Sequence, residues 1–189
     1  MSSPAAEQLL TAEEFARLPE PEGGCCTELV DGRVVMAPPP GAAHGDRSSI
    51  IGWALRSFVR EHQLGRVLVE SGYRLKRRPD TVRGPDVSFI ANDRLPVAGL
   101  PAGYFEGAPT LAVEVLSPND AQAAVLTKVG EYLDAGAERV WLVRSANKSV
   151  TVYFAGGDVA TLHSGDTLNS AHAAFTLEGF ALPIDEIFA

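Results

Sequence analysis

Cysteine is nearly absent from this chain of 189 residues: the two present, Cys25 and Cys26, are adjacent. They supply neither a disulfide framework nor the spaced pairs of a zinc knuckle, and the expected state is small, partly buried thiols. No run approaches the ~20 apolar residues that span a bilayer. The opening Met1-Ser2-Ser3-Pro4-Ala5-Ala6 also lacks the cationic-then-apolar order of an export signal. The expectation is a cytoplasmic protein with no membrane contact. Net positive charge is lacking too. The formal charge of −8 argues against a generic nucleic-acid coat, because phosphate binding is driven by Lys and Arg. There is no internal repeat and no low-complexity segment. What remains is ordinary globular composition, 46% hydrophobic and 21% charged, so residues 1–189 are read as a single domain, with 1–10 as a flexible lead.

Local patterns order the chain. Thr11, with Glu14 three residues on, is a capping box that opens a short helix to about Leu18. The runs 27–30 and 33–36 flank Asp31-Gly32, the dipeptide of a tight type I′ hairpin. Pro38-Pro39-Pro40-Gly41 ends that strand, and Ile50, Ile51, Leu55, Phe58 and Val59 then recur with the helical period, giving a long helix over about 43–62. Short strands are expected at 66–70, 72–76, 87–90 and 111–116. Ser117-Pro118 reads as the N-cap and first turn of a second long helix that ends near Ala135-Gly136. Strands at 139–143, 148–154 and 159–163 follow, and 184–188 forms a terminal turn. The fold class is α/β, a mixed β-sheet flanked by two long helices with an N-terminal β-hairpin.

Two of the expected strands are each marked by one carboxylate beside aliphatic residues, Asp86 immediately before the strand at 87–90 and Glu114 within the strand at 111–116. Burying an unpaired charge costs several kcal/mol, so something must offset it. A shared Mg²⁺ or Mn²⁺ would do so, since hard cations take oxygen ligands and keep several waters. The competing reading of Asp86 is a turn cap after Pro85. Just before it, Arg74, Lys76, Arg77, Arg78 and Arg83 crowd together with Asp80 as their only acidic neighbour. They form either a basic patch for nucleic-acid phosphates or a solvated hairpin.

Glu28-Leu29-Val30-Asp31-Gly32, Met36-Ala37-Pro38-Pro39, Pro85-Asp86-Val87-Ser88-Phe89, Gly107-Ala108-Pro109, Glu114-Val115-Leu116-Ser117-Pro118 and Trp141-Leu142-Val143, in that order and spacing, resemble the Uma2 family of restriction-endonuclease-like proteins. The resemblance runs from about Thr11 to Phe188. That family is similar to PD-(D/E)xK nucleases, which implies a restriction-endonuclease-like core and a metal site with Asp86 and Glu114 as ligands, joined by the Val115 carbonyl. The ordinary motif places its lysine two residues after the second acid, where this chain has Leu116; the resemblance points instead to Lys128 on the following helix. It adds Glu28, an acid to hold a metal-bound water, and His44 as a phosphate contact or base. His62, His163 and His172 have no spacing that suggests a metal cluster. The chain departs from the family at Thr27, where an aromatic is common, at Leu126-Thr127, where acids are common, and at Arg144-Ser145, where Asp-Pro is usual.

What the resemblance implies is a Mg²⁺- or Mn²⁺-dependent endonuclease acting on DNA, with a homodimer as an open possibility of assembly. The alternatives are a catalytically weak nucleic-acid-binding or defence-associated protein, and a hydrolase of some other phosphate ester. The place of Lys128 can also be argued from geometry. Glu114 lies roughly 10 Å back from the strand end at ~3.3 Å per residue. A helix returning from about Asn119 brings Lys128 back by roughly 13 Å at ~1.5 Å per residue, level with Glu114. The competing arrangement is a lysine that snorkels to solvent.

Overall fold

The protein is described by a computed structural model covering residues 9–19, 26–118 and 120–189. In chain order its elements are α1 (Ala12–Phe15), β1 (Cys26–Val30), β2 (Arg33–Ala37), α2 (Ala42–Glu61), β3 (Gly65–Val69), β4 (Tyr73–Lys76), β5 (Thr81–Arg83), β6 (Val87–Ala91), β7 (Phe105–Glu106) and β8 (Leu111–Leu116). There follow α3 (Gln122–Asp134), β9 (Arg139–Arg144), β10 (Ser149–Phe154), β11 (Val159–Leu162), β12 (Thr167–Asn169), β13 (Ala181–Pro183) and α4 (Ile184–Ile187).

The hairpin of β1 and β2 turns at Asp31 and Gly32 with φ of 47° and 78°, the pair of positive angles that a type I′ turn requires. Where one sheet is expected, the described residues form two larger sheets and a two-stranded one. The five-stranded sheet has the order β2-β1-β5-β4-β7 and the six-stranded sheet the order β11-β10-β9-β8-β6-β3. The hairpin joins the first sheet through Leu29, which pairs with Val82 of β5. β5 is only three residues long and lies inside the basic stretch, so no alternation marked it. β12 and β13 are also three residues long and β7 only two.

Strand alternation in the six-stranded sheet sends side chains to opposite faces and puts one helix on each. α2 buries Ile51, Leu55 and Val59 with Val87, Phe89 and Val113. α3 buries Val125, Val129 and Tyr132 with Ala112, Val140 and Leu142. Each fully buried aliphatic side chain contributes about 1.5–3 kcal/mol. β8 and β9 are parallel, a pairing that needs a crossover between them, and α3 supplies it.

α3 begins later than the Ser117-Pro118 signal suggests. Its N-cap is Ala121, with no side-chain cap. Ser117 and Asp120 instead bond to each other, Asp120 Oδ2 accepting from the Ser117 N–H at 2.7 Å and the Asp120 N–H donating back to the Ser117 carbonyl. This local pairing outcompetes a cap, which is the usual effect of a short acidic side chain beside a strand end. Cys26 is exposed rather than partly buried, because it starts β1 where the strand enters the sheet; Cys25 and residues 1–8 of the expected flexible lead over 1–10 lie outside the described residues, while Leu10 is tied to the hairpin turn through its N–H, which donates to the Gly32 carbonyl at 2.8 Å. Among the described residues no helix is long and apolar enough to cross a membrane.

Candidate active site

Gly84 and Pro85 carry the chain from β5 in one sheet to β6 in the other, and Asp86 sits at the end of that link. Val87 pairs with Val113, so the next step of the register sets Asp86 beside Glu114. Asp86 Oδ2 accepts from the Val115 N–H at 2.6 Å. Its other oxygen lies 3.3 Å from His44 Nε2, in the first turn of α2.

Glu114 points towards α3 and is only 8% exposed. Its Oε2 accepts from Lys128 Nζ and its Oε1 from the Tyr132 hydroxyl, both at 2.8 Å. Lys128 and Tyr132 stand four residues apart on α3 and therefore share a face. Lys128 Nζ is also 2.9 Å from Glu28 Oε1. Glu28, on β1, accepts from the Gly84 N–H at 3.0 Å and from Arg83 Nη1 at 2.9 Å. Arg83 Nε in turn donates to Glu131 Oε2 at 2.6 Å. The chain of contacts thus leaves α3 at Lys128, crosses β1 and β5, and returns to α3 at Glu131.

Burial sets the protonation of this cluster. It pushes the Glu114 carboxyl up to about 7 even against the Lys128 charge, with Asp86 and Glu28 adding repulsion. Burial also works to raise Glu28, but Lys128, Arg83 and the Gly84 N–H outweigh it and hold that carboxyl below its ordinary value. The Lys128 ammonium loses hydration, yet the two carboxylates keep it above the usual lysine range. The hydrogen bond to Asp86 raises the His44 imidazole, more than burial lowers it, and the Val115 carbonyl adds to the effect.

These groups fit a hard divalent cation. Asp86 and Glu114 are adjacent carboxylates, the Val115 carbonyl faces the same imidazole as Asp86, and an oxygen set completed by water is what Mg²⁺ takes. Burial does most to raise Glu114, and the repulsion from Asp86 that adds to it is the kind that a cation between two acids relieves. Among the described residues no three His, Cys, Asp or Glu side chains are grouped to hold a metal, so such an ion would rest on two carboxylates, a main-chain oxygen and water.

All five acid, base and lysine candidates from the sequence, Glu28, His44, Asp86, Glu114 and Lys128, come together here. The basic patch does not. Arg74 is 7% exposed and is surrounded by Glu13, Asp80 and Glu106. Lys76 pairs with Asp31 and Arg77 with Glu106. Arg83 is buried inside the site itself. Of the five, only Arg78 is exposed without an ion pair among the described residues. The acids that consume these cations are distant in sequence, which is why the stretch reads as a patch. Tyr132, Glu131 and the bridging role of Arg83 were not singled out from the sequence, although their i+3 and i+4 spacing from Lys128 was a signal for the first two.

The protein is similar to a crystal structure of a “putative nuclease belonging to DUF820” from Anabaena variabilis ATCC 29413, with 25% identity, a TM-score of 0.78, and coverage of 95% of this chain and 97% of that one. No curated protein matches it. The Uma2 family, described as “Putative restriction endonuclease”, matches residues 12–184; by that match over nearly its whole length, and with its mixed α/β fold, the chain belongs to the Uma2 family.

Proposed function

We propose that the chain is a Mg²⁺- or Mn²⁺-dependent nuclease that hydrolyses phosphodiester bonds in DNA. One observation carries the reading: a lysine ammonium lies 2.8 Å from Glu114 and 2.9 Å from Glu28, beside an aspartate held by the Val115 N–H. Bound by Asp86, Glu114 and the Val115 carbonyl, the cation would supply a Lewis acid for the phosphate and a lowered pKa for water.

The chain's own residues account for the other requirements. Lys128, kept charged by its two acids, offers positive charge where negative charge develops on the attacked phosphate. Glu28, braced by Arg83 and Gly84, has an oxygen beside Lys128 to orient the attacking water. His44, whose Nε2 lies 3.3 Å from Asp86, would serve as a phosphate contact or base beside the cation. Tyr132 fixes the orientation of Glu114.

Incubation of plasmid and single-stranded DNA with Mg²⁺ or Mn²⁺ tests the proposal, with Asp86→Asn as control. Cleavage by the parent and none by the variant is expected; an inert parent under both metals sinks it. A second reading has one observation in its favour, since both Glu114 oxygens already have donors in Lys128 and Tyr132. That reading is a catalytically weak nucleic-acid-binding protein, and it is selected if DNA is bound but never cut.

A further inference from the structure

A cleft of about 570 Å³ lies away from the carboxylates, between the C-terminal half of α2 and the edge strand β3. Arg56, Arg60 and Arg66 line it, together with the amides Gln63 and Asn92. All five side chains are exposed, no acid lines the cleft, and among the described residues none of the three arginines forms an ion pair. This reverses the pattern seen over 74–83, where nearly every cation is spent on a carboxylate. In a chain of net charge −8, three unneutralised guanidinium groups in one depression oppose folding by mutual repulsion, and Arg56 and Arg60 are i,i+4 neighbours on one helical face. Arg60 also sits in the last turn of α2, where a cation favours the helix dipole. That does not account for Arg56 or Arg66.

Two of the groups are held in place. Arg56 Nη2 donates to the Val67 carbonyl at 3.0 Å and Arg66 Nη1 to the Gly65 carbonyl at 3.1 Å, which leaves the rest of each fork of donors open. Planar guanidinium forks with free donors match phosphate oxygens. The cleft is also in line with the candidate active site. Arg66 pairs with Ile90, and β3 runs on from there to Glu70, whose N–H meets the Asp86 carbonyl at 3.3 Å. Four residues of strand put Arg66 roughly 13 Å from Asp86 at ~3.3 Å per residue. Along α2, Arg56 lies roughly 18 Å beyond His44 at ~1.5 Å per residue. A DNA strand advancing ~3.4 Å per nucleotide covers these distances in about four to five nucleotides.

We infer that the Arg56–Arg60–Arg66 cleft binds the sugar-phosphate backbone of the nucleic acid whose cleavage is assigned to Asp86, Glu114 and Lys128, gripping it about four to five nucleotides from the scissile bond. The inference rests on the nuclease reading for its substrate class. It gives the acidic chain a local anchor that the paired cations of 74–83 do not provide.

The test uses the full chain carrying Asp86→Asn, so that binding is measured without cleavage. Anisotropy titrations of a labelled duplex and a labelled single strand are run between ~50 and ~200 mM salt. The variants are Arg56→Gln/Arg60→Gln/Arg66→Gln and, to spare the Val67 contact, Arg60→Glu/Arg66→Glu. The triple variant is expected to bind about tenfold or more weakly at low salt, with a salt slope shallower by about three, close to one unit per lost phosphate contact. Charge reversal should weaken binding further. Parent-like affinity and slope in both variants overturn the proposal, as does a parent that binds neither DNA form. Hydrolysis of bis(p-nitrophenyl) phosphate by the unmodified chain with Mn²⁺ is scored separately. That ester is too small to reach the cleft, so its hydrolysis reports on the carboxylate site alone.

Discussion

The Tyr132 hydroxyl donates to Glu114 Oε1 at 2.8 Å, and both residues are buried, Tyr132 completely. This bond ties the crossover helix to the strand it follows and leaves Glu114 one orientation. Tyr132→Phe keeps the ring packing and deletes only the donor, so a buried carboxylate oxygen loses its partner. The expected cost is about 1.5–3 kcal/mol, read as a lower urea midpoint at unchanged slope. An unchanged midpoint would mean that the hydroxyl contributes nothing to the fold.

Divalent-cation binding should depend on both acids. Asp86→Asn and Glu114→Gln keep the shape of each side chain and its ability to accept a hydrogen bond, while removing the charge that a hard cation needs. Calorimetric titration with Mn²⁺ is expected to show binding in the parent and none in either variant, each with a native far-ultraviolet spectrum. Parent-like binding in the double variant would place the cation elsewhere.

Acid stability should carry a contribution from Asp80. Its Oδ2 accepts from the Ala12 N–H at 2.8 Å and its Oδ1 from the Arg78 N–H at 3.2 Å, with Arg74 close by. Burial works to raise this carboxyl, but the two N–H groups and the Arg74 charge outweigh it and hold it below its ordinary value. The unfolded chain therefore takes up the proton first. The contribution is complete above the unfolded value of ~3.9 and is lost as pH falls through the lower folded one. Asp80→Asn is expected to cost about 1.5–3 kcal/mol at neutral pH. The gap to the parent should narrow below about pH 4, and a gap independent of pH would refute the linkage.

Lys128→Met keeps an unbranched stem in the same slot and removes the ammonium. Loss of one preorganised positive group at a developing charge costs about 10²–10³ in rate, so metal-dependent cleavage should fall by that order. Met is chosen over Ala so that a cavity does not confuse the result. Undiminished cleavage would remove Lys128 from the chemistry.

The legible parts of the sequence were those with a local physical signature. Asp31-Gly32 fixes a hairpin by its own backbone preferences, the apolar period over 50–59 marks α2, and an acid among aliphatic residues marks Glu114 as a group in need of a partner. The distance arithmetic along β8 and α3 also set Lys128 level with Glu114, where it is found at 2.8 Å. What could not be read was long-range electrostatic pairing. Arg83 looked like one more cation in a basic run, yet its partners, Glu28 and Glu131, are 55 and 48 residues away. Ser117 misled for the opposite reason, because a competing local partner, Asp120, was already in reach.

Arg83 therefore yields the sharpest prediction about the frame of the site. Its Nη1 holds Glu28 at 2.9 Å and its Nε holds Glu131 at 2.6 Å, from a position only 8% exposed. It thus joins β5 to β1 and to α3 at once. Removing one partner of a buried pair strands the other and costs about 3–5 kcal/mol, so Arg83→Ala is expected to unfold at markedly lower urea. Arg83→Lys separates charge from geometry: a single ammonium lacks the planar fork that serves two carboxylates in different directions. The lysine variant should recover part of the stability but leave Glu28 or Glu131 unheld. If Glu28 is held in place for the reaction, Arg83→Lys loses cleavage out of proportion to its stability, and Glu131→Gln, which leaves the Glu28 contact alone, does not. Equal loss of cleavage in the two variants would reduce Arg83 to a purely structural strut.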